Sequence, residues 1–197
     1  MSYKIYCLNY ENPQRRASML SRFKAAGFNN DEFVLHKGAS INDARISGRG
    51  LINHTEKCWS CMYGHLDMIR DFIDSGEEHG IFCEDDILID QDIKERLNHI
   101  IIDFDAMALD TLLLGYLITY PMTGGDVKSV YVDLQTAETT TFRYYTYDDI
   151  WGTQMYMLSR AQAKRIIEKY AHGYADRFLA NPQEIYPPFS ADWTITK

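Results

Sequence analysis

A chain of 197 residues with 46% hydrophobic and 24% charged residues is sized and composed for one globular domain with a real core. Its net charge of −8 argues against non-specific nucleic-acid binding, which needs a basic footprint. It does not argue against a phosphorylated ligand, because a metal can bring the local positive charge. No apolar run approaches the ~18 residues of a membrane span, so no membrane span is expected. Met1-Ser2-Tyr3-Lys4 leads directly into a strand-like run without a signal-peptide layout. The sequence therefore predicts a cytoplasmic protein, with its four cysteines, Cys7, Cys58, Cys61 and Cys83, reduced.

Tyr3 to Leu8 alternates and is rich in β-formers, which predicts a first strand, and Asn9 to Pro13 is a turn. A helix is predicted from Gln14 to Ala26, with Met19, Leu20 and Phe23 at helical spacing and Gly27 as its stop. Phe33 to His36 completes a strand–helix–strand unit, which predicts a mostly parallel sheet flanked by helices. Gly38 to Asn53 reads as a mobile loop. Glu56 to Ser75 reads as a helix whose apolar stripe is Trp59, Met62, Leu66, Ile69, Phe72 and Ile73. Ile93 to Ile102 is predicted helical, and Thr111 to Ile118 is a buried strand. Residues 121–149, polar and rich in Thr and Tyr, read as loop plus edge strands. Gly152 to Leu158 is a strand, Arg160 to Tyr170 a helix, and the Pro-containing tail from Gly173 is expected to hold little regular structure. The abrupt end at Trp193 to Lys197 suggests a single domain, 1–197, cut from a longer protein.

The most informative stretch is Ile81 to Ile89, a buried-strand pattern that runs into Glu84-Asp85-Asp86. Three adjacent carboxylates repel one another and are costly to desolvate. A hard cation would offset that cost, and Mg²⁺ or Mn²⁺ prefers oxygen ligands together with substrate phosphates. Ligands of open α/β sheets lie at the carboxyl ends of the strands, which is where this cluster falls. The alternative reading is a solvated acidic turn.

Ile5 to Asn9 with Arg15-Arg16 and Met19-Leu20, Cys61 to Leu66, Glu84-Asp85-Asp86, Gly152 to Ser159 and Ser190 to Trp193, taken in order, resemble segments of family 25 glycosyltransferases. Ile5-Tyr6-Cys7-Leu8-Asn9, with Arg15-Arg16 and Met19-Leu20, is similar to the family's first strand and Arg-rich helix. Cys61-Met62-Tyr63-Gly64-His65-Leu66 resembles its Cys-x-x-Ser-His-Leu helix, with Gly64 in the Ser place. Glu84-Asp85-Asp86 matches its acidic signature, and Gly152-Thr153 through Tyr156 to Ser159 matches its Gly-Thr-x-x-Tyr-x-x-Ser block. Ser190-Ala191-Asp192-Trp193 stands where the family has a Pro-x-Asp segment. The small size also resembles the glycosyltransferase domains of large algal viruses. The resemblance implies the GT-A fold, one Rossmann-like domain, and transfer from a UDP-sugar to a glycan or glycoprotein acceptor with Mn²⁺ or Mg²⁺.

On that resemblance, Asp86 is the expected metal ligand, with Glu84 beside it, and Glu84 or Asp85 is expected to reach the donor ribose or a metal-bound water. Asp192 is the expected general base of an inverting transfer, with Trp193 available to stack on a sugar and Asp149 as the rival base. Leu8, at the end of the first strand, is an expected donor-binding residue with Asn9 and Tyr10, which follow the strand where nucleotide bases lie in doubly wound folds. Arg15 and Lys57 are expected anion partners for the donor. His54 and His65 read as satisfied core residues. Cys58, Cys61, His65 and Cys83 lack the paired spacing of a zinc site and read as inert thiols with a core histidine. Among rivals, a non-catalytic nucleotide-sugar-binding module would lack a working base. A nucleotidyltransferase would show a Gly-rich phosphate loop, and Asn9 to Pro13 has no glycine. A phosphohydrolase would carry an Asp at the end of the first strand.

Overall fold

The computed structural model describes residues 2–49, 55–117, 127–132, 140–145 and 151–196. Strand β1 (Tyr3–Leu8) leads through a turn into helix α1 (Pro13–Ala25). Asn12 caps that helix, its Oδ1 accepting the Arg15 N–H at 3.0 Å, and Pro13 takes the first position, where a missing N–H costs nothing. Strand β2 (Phe33–His36), helix α2 (Glu56–Ser75) and strand β3 (His79–Glu84) follow. Then come α3 (Ile93–Ala106), β4 (Thr111–Leu117), β5 (Val127–Val132), β6 (Thr140–Tyr145) and β7 (Trp151–Ser159). The chain continues through α4 (Arg160–Tyr170), α5 (Tyr174–Ala180) and α6 (Ala191–Thr196).

The central sheet has five strands in the order β2-β1-β3-β7-β4. β1 pairs in parallel with β2 and β3, whereas β7 runs antiparallel between β3 and β4. Four strands thus share one direction, but only half of the neighbouring pairs are parallel, so the sheet is mixed. β5 and β6 form a separate antiparallel pair within the segment expected to hold edge strands. The tail corrects the sequence reading, since it carries α5 and α6. β3 also ends at Glu84, so Ile87 to Ile89 lies beyond the strand.

Alternation along the strands sorts the core into two layers. Ile5, Cys7, Ile81, Cys83, Met155 and Met157 pack with Met19 and Phe23 of α1 and with Leu97, Ile101 and Phe104 of α3. Tyr6, Leu8, Phe82, Tyr156 and Leu158 pack on the other face with α2, α4, α5 and α6. Trp59 of α2 is fully buried there and meets the Phe189 ring edge-on, with centroids 5.0 Å apart. Arg160 ties α4 to α2 within this layer: its guanidinium donates to the carbonyls of Phe72, Ile73 and Glu77, at and just beyond the end of α2.

Leu8 lies under two close backbone approaches. A Cβ on Gly64 of α2 would sit 2.7 Å from Leu8 Cδ1, and one on Gly38, at φ +76°, would sit 2.8 Å from it. Gly64 therefore lets α2 settle on the end of β1. Alanine there would recover about 1 kcal/mol of helix propensity but overpack Leu8 at a cost of about 1–3 kcal/mol. Gly64→Ala is expected to lose about 1 kcal/mol net in urea unfolding, through a lower midpoint at unchanged slope.

The expected loop after β2 is pinned over residues 38–49. Ile46 is fully buried, and Arg45 forms a two-pronged pair with Asp67 of α2 while also holding Asp43. The Arg45 guanidinium holds the Asp43 carboxyl down to about 2. Arg49 pairs with Asp176 of α5 at 2.6 Å. No helix among the described residues is long and apolar enough to cross a membrane.

Candidate functional site

A cleft of about 350 Å³ opens at the carboxyl ends of β1 and β3. Leu8, Tyr10, Asn12 and Arg15 line one side, Gly38, Ala39 and Ile41 another, and Lys57, Ser60, Cys61, Glu84 and Asp85 the rest. Its volume lies at the lower end of the range for small-molecule sites. Local bonds hold the walls. The Tyr10 hydroxyl donates to Ser40 Oγ at 3.0 Å, and the Ser60 hydroxyl donates to the Ala39 carbonyl at 2.5 Å.

The three consecutive carboxylates diverge. Asp85 is buried and fully engaged: Asn9 Nδ2 donates to its Oδ2 at 2.5 Å and Arg15 to its Oδ1 at 3.0 Å. Asp86 is half exposed and meets the same guanidinium at 3.2 Å. Glu84 turns the other way, toward α2 and β7. Its Oε1 accepts the Thr153 hydroxyl at 2.8 Å and lies 3.7 Å from His65 Nε2. The His65 imidazole holds the Glu84 carboxyl below its ordinary range; desolvation opposes this, and Thr153 and Arg15 add to it.

Asp192, in the first turn of α6, lies within electrostatic reach of Glu84, His65 and Cys61. Desolvation raises its pKa, and the Glu84 charge raises it further. His65 and the backbone N–H groups of Thr153 and Gly152 pull the other way. A carboxylate held above its ordinary range is a better proton acceptor near neutrality than a solvated one.

Sequence distances of more than 100 residues are thus closed around one opening. Leu8, Tyr10, Arg15, Lys57, Glu84 and Asp85 line the same cleft, with Asp192 near its Cys61 and Glu84 wall. Asn9 is 5% exposed and spends its amide on Asp85 and on the Asn12 carbonyl, so it positions a carboxylate from beneath the cleft. Asp149 and His54 lie outside the described residues. Asp86 offers the oxygen donors that Mn²⁺ or Mg²⁺ takes, whereas Glu84, expected beside it as a ligand, turns toward His65 and Thr153. Arg15 supplies positive charge against Asp85 and Asp86 in the same place.

Thr153, Tyr156 and Cys61 acquire contacts that spacing alone does not reveal. Tyr156 is fully buried, and its hydroxyl lies 2.8 Å from His65 Nδ1. Thr153 and Tyr156 stand three apart in the Gly-Thr-x-x-Tyr block, and that block was the available signal. Of the thiols, Cys7 and Cys83 are buried, as expected of inert ones, whereas Cys58 is exposed. Comparison with protein-family models and with curated proteins finds no match to this chain.

Proposed function

We propose that the chain is a GT-A-type, metal-dependent glycosyltransferase that moves a hexose or deoxyhexose from a UDP-sugar to a hydroxyl of a glycan or glycoprotein, with inversion. The observation that supports this reading best is the single cleft at the strand ends, which gathers Tyr10, Arg15, Lys57 and Glu84 with Asp192 close behind. The sheet order, with one antiparallel strand beside the acidic strand β3, agrees with a nucleotide-binding α/β domain.

Each residue then has a part. Tyr10 and Leu8 offer the surfaces on which a base rests, and Arg15 and Lys57 offer positive charge to a diphosphate. Asp85, locked by Asn9, keeps Arg15 in place. Asp192 takes the proton of the acceptor hydroxyl as its oxygen bonds to the anomeric carbon. The bond from that carbon to the diphosphate breaks, and the nucleotide leaves with the electron pair. A divalent ion would be held at Asp86 and would supply, when bound, neutralisation of the charge developing on the leaving diphosphate.

Calorimetric titration with a panel of nucleotide-sugars tests this directly. UDP-sugars should bind in the presence of Mn²⁺ or Mg²⁺, and Asp86→Asn should weaken that binding by removing a charged ligand. Transfer should stop in excess EDTA. Full transfer in EDTA would remove the metal from the mechanism. Binding without turnover on any acceptor would leave a nucleotide-sugar-binding module, and no binding of any nucleotide-sugar would overturn the reading.

A further inference from the structure

Beside the acidic signature, a different set of donors converges. Cys61, His65 and Glu84 each present one ligand atom, and the three atoms lie within 4.8 Å of one another. It is the one such trio of His, Cys, Asp or Glu groups among the described residues. Cys61 and His65 stand four residues apart on α2, one turn along the same face. Glu84 arrives from the end of β3.

His65 is what distinguishes this cluster from an incidental contact. It is fully buried, and its two ring nitrogens are treated differently. Nδ1 faces the Tyr156 hydroxyl at 2.8 Å, which fixes the ring. Nε2 is buried without a hydrogen-bond partner, and Glu84 Oε1 at 3.7 Å is too far to be one. A buried polar nitrogen without a hydrogen bond is costly, and here it faces the Glu84 carboxylate at 3.7 Å with a thiol close by. Metal-bound imidazoles commonly have their second nitrogen held by a neighbouring polar group, and Tyr156 stands in that place. A nucleophile relay fits less well, since its carboxylate would sit on the imidazole nitrogen opposite the one facing the thiol. Here Tyr156, not Glu84, occupies the second nitrogen.

We propose that Cys61, His65 and Glu84 form a site for a zinc-class divalent ion. Thiolate and imidazole donors select Zn²⁺ or Co²⁺ over Mg²⁺ and Mn²⁺, so this site differs in kind from the carboxylate site at Asp86. Three protein ligands leave a fourth position open, the pattern of zinc sites that take a water or a substrate atom. Cys61 and Glu84 both line the cleft, so two of the three ligands border it. The spacing of Cys58 and Cys61 is not what makes the site. Cys58 is exposed and Cys83 packs on the opposite face of the sheet, and Glu84 takes the place that a second cysteine would fill.

The test needs no nucleotide and so stands apart from the glycosyl-transfer reading. The metal-free 197-residue chain is titrated with Co²⁺ and followed by absorption. A thiolate-to-cobalt charge-transfer band is expected to grow to saturation, to be displaced by Zn²⁺, and to resist an equal concentration of Mg²⁺ or Mn²⁺. Cys61→Ser should abolish the band, Cys58→Ser should leave it unchanged, and Tyr156→Phe should weaken cobalt binding by about 10–100-fold, the usual effect of losing a partner behind a ligand. Cys61 is only partly buried, so its serine variant is expected to fold, and circular dichroism checks that it does. No thiolate band in the wild type, or a band that survives in Cys61→Ser, would overturn the proposal. So would a band lost in Cys58→Ser, which would assign it to the exposed thiol.

Discussion

Asp192→Asn is expected to lower turnover by about 10²–10⁴-fold, the span for a lost general base, while donor affinity stays nearly unchanged. Asparagine keeps the shape of the side chain, and its carbonyl oxygen can still accept from the Thr153 and Gly152 N–H groups that face Asp192. What it loses is the capacity to take a proton. Stability should move the other way. Burial, and then Glu84, hold the Asp192 pKa above its unfolded value, so the folded chain binds that proton more tightly than the unfolded chain does. Ionised Asp192 therefore costs stability at neutral pH, and the cost disappears as pH falls through the raised folded value toward the ordinary aspartate range. The asparagine variant should melt at or above the wild-type temperature at pH 7, and the gap should close on acidification. A variant that loses turnover and also melts lower at pH 7 would make Asp192 a structural residue. Near-normal turnover in Asp192→Asn with a deep loss in Asp149→Asn would move the base to Asp149.

The parts of this fold that were legible in the sequence are those whose signal is local. β1, α1, α2 and α4 follow from strand alternation or helical stripes with recognisable stops, and α1 differs from its predicted bounds by one residue at each end. The direction of β7 carries no such signal. Met155 and Tyr156 alternate equally well in either orientation, and only their pairing with Cys83 and Phe82 shows that the strand runs antiparallel. α5 and α6 were hidden by Pro182, Pro187 and Pro188, which break local periodicity around two short helices of seven and six residues. Their stabilisation comes from tertiary packing, through Phe178 and Ile195 in the layer shared with α2.

The site divides along the same line. Apolar residues before three carboxylates marked the end of β3, and Arg15 and Lys57, both singled out in the sequence, line the same cleft. The split of the carboxylates was not legible, because it depends on partners far along the chain: Asn9 for Asp85 and Thr153 for Glu84. The sequence reads His65 as a satisfied core residue. That holds for Nδ1, which has Tyr156, and fails for Nε2. A helical histidine among apolar neighbours looks the same in sequence whether one nitrogen is satisfied or two.

Glu84→Gln is expected to reduce turnover on the order of 10²-fold, the scale for removing one preorganised electrostatic group, and also to shift the pH dependence of what remains. The shift is the more informative result. Glu84 is the second cause of the raised Asp192 pKa, after burial, and glutamine removes its charge while keeping its volume. The Asp192 pKa should fall, though not to its ordinary value, because desolvation persists. The acid limb of the kcat/KM profile, where the base becomes protonated, should therefore move to lower pH in Glu84→Gln. Asp86→Asn should leave that limb where it is, since Asp86 is not among the groups that shift Asp192. An acid limb that stays in place in Glu84→Gln would show that the titrating base does not sense Glu84, and would remove Asp192 from the role. A limb that moves equally in both variants would assign the shift to loss of a shared metal ion.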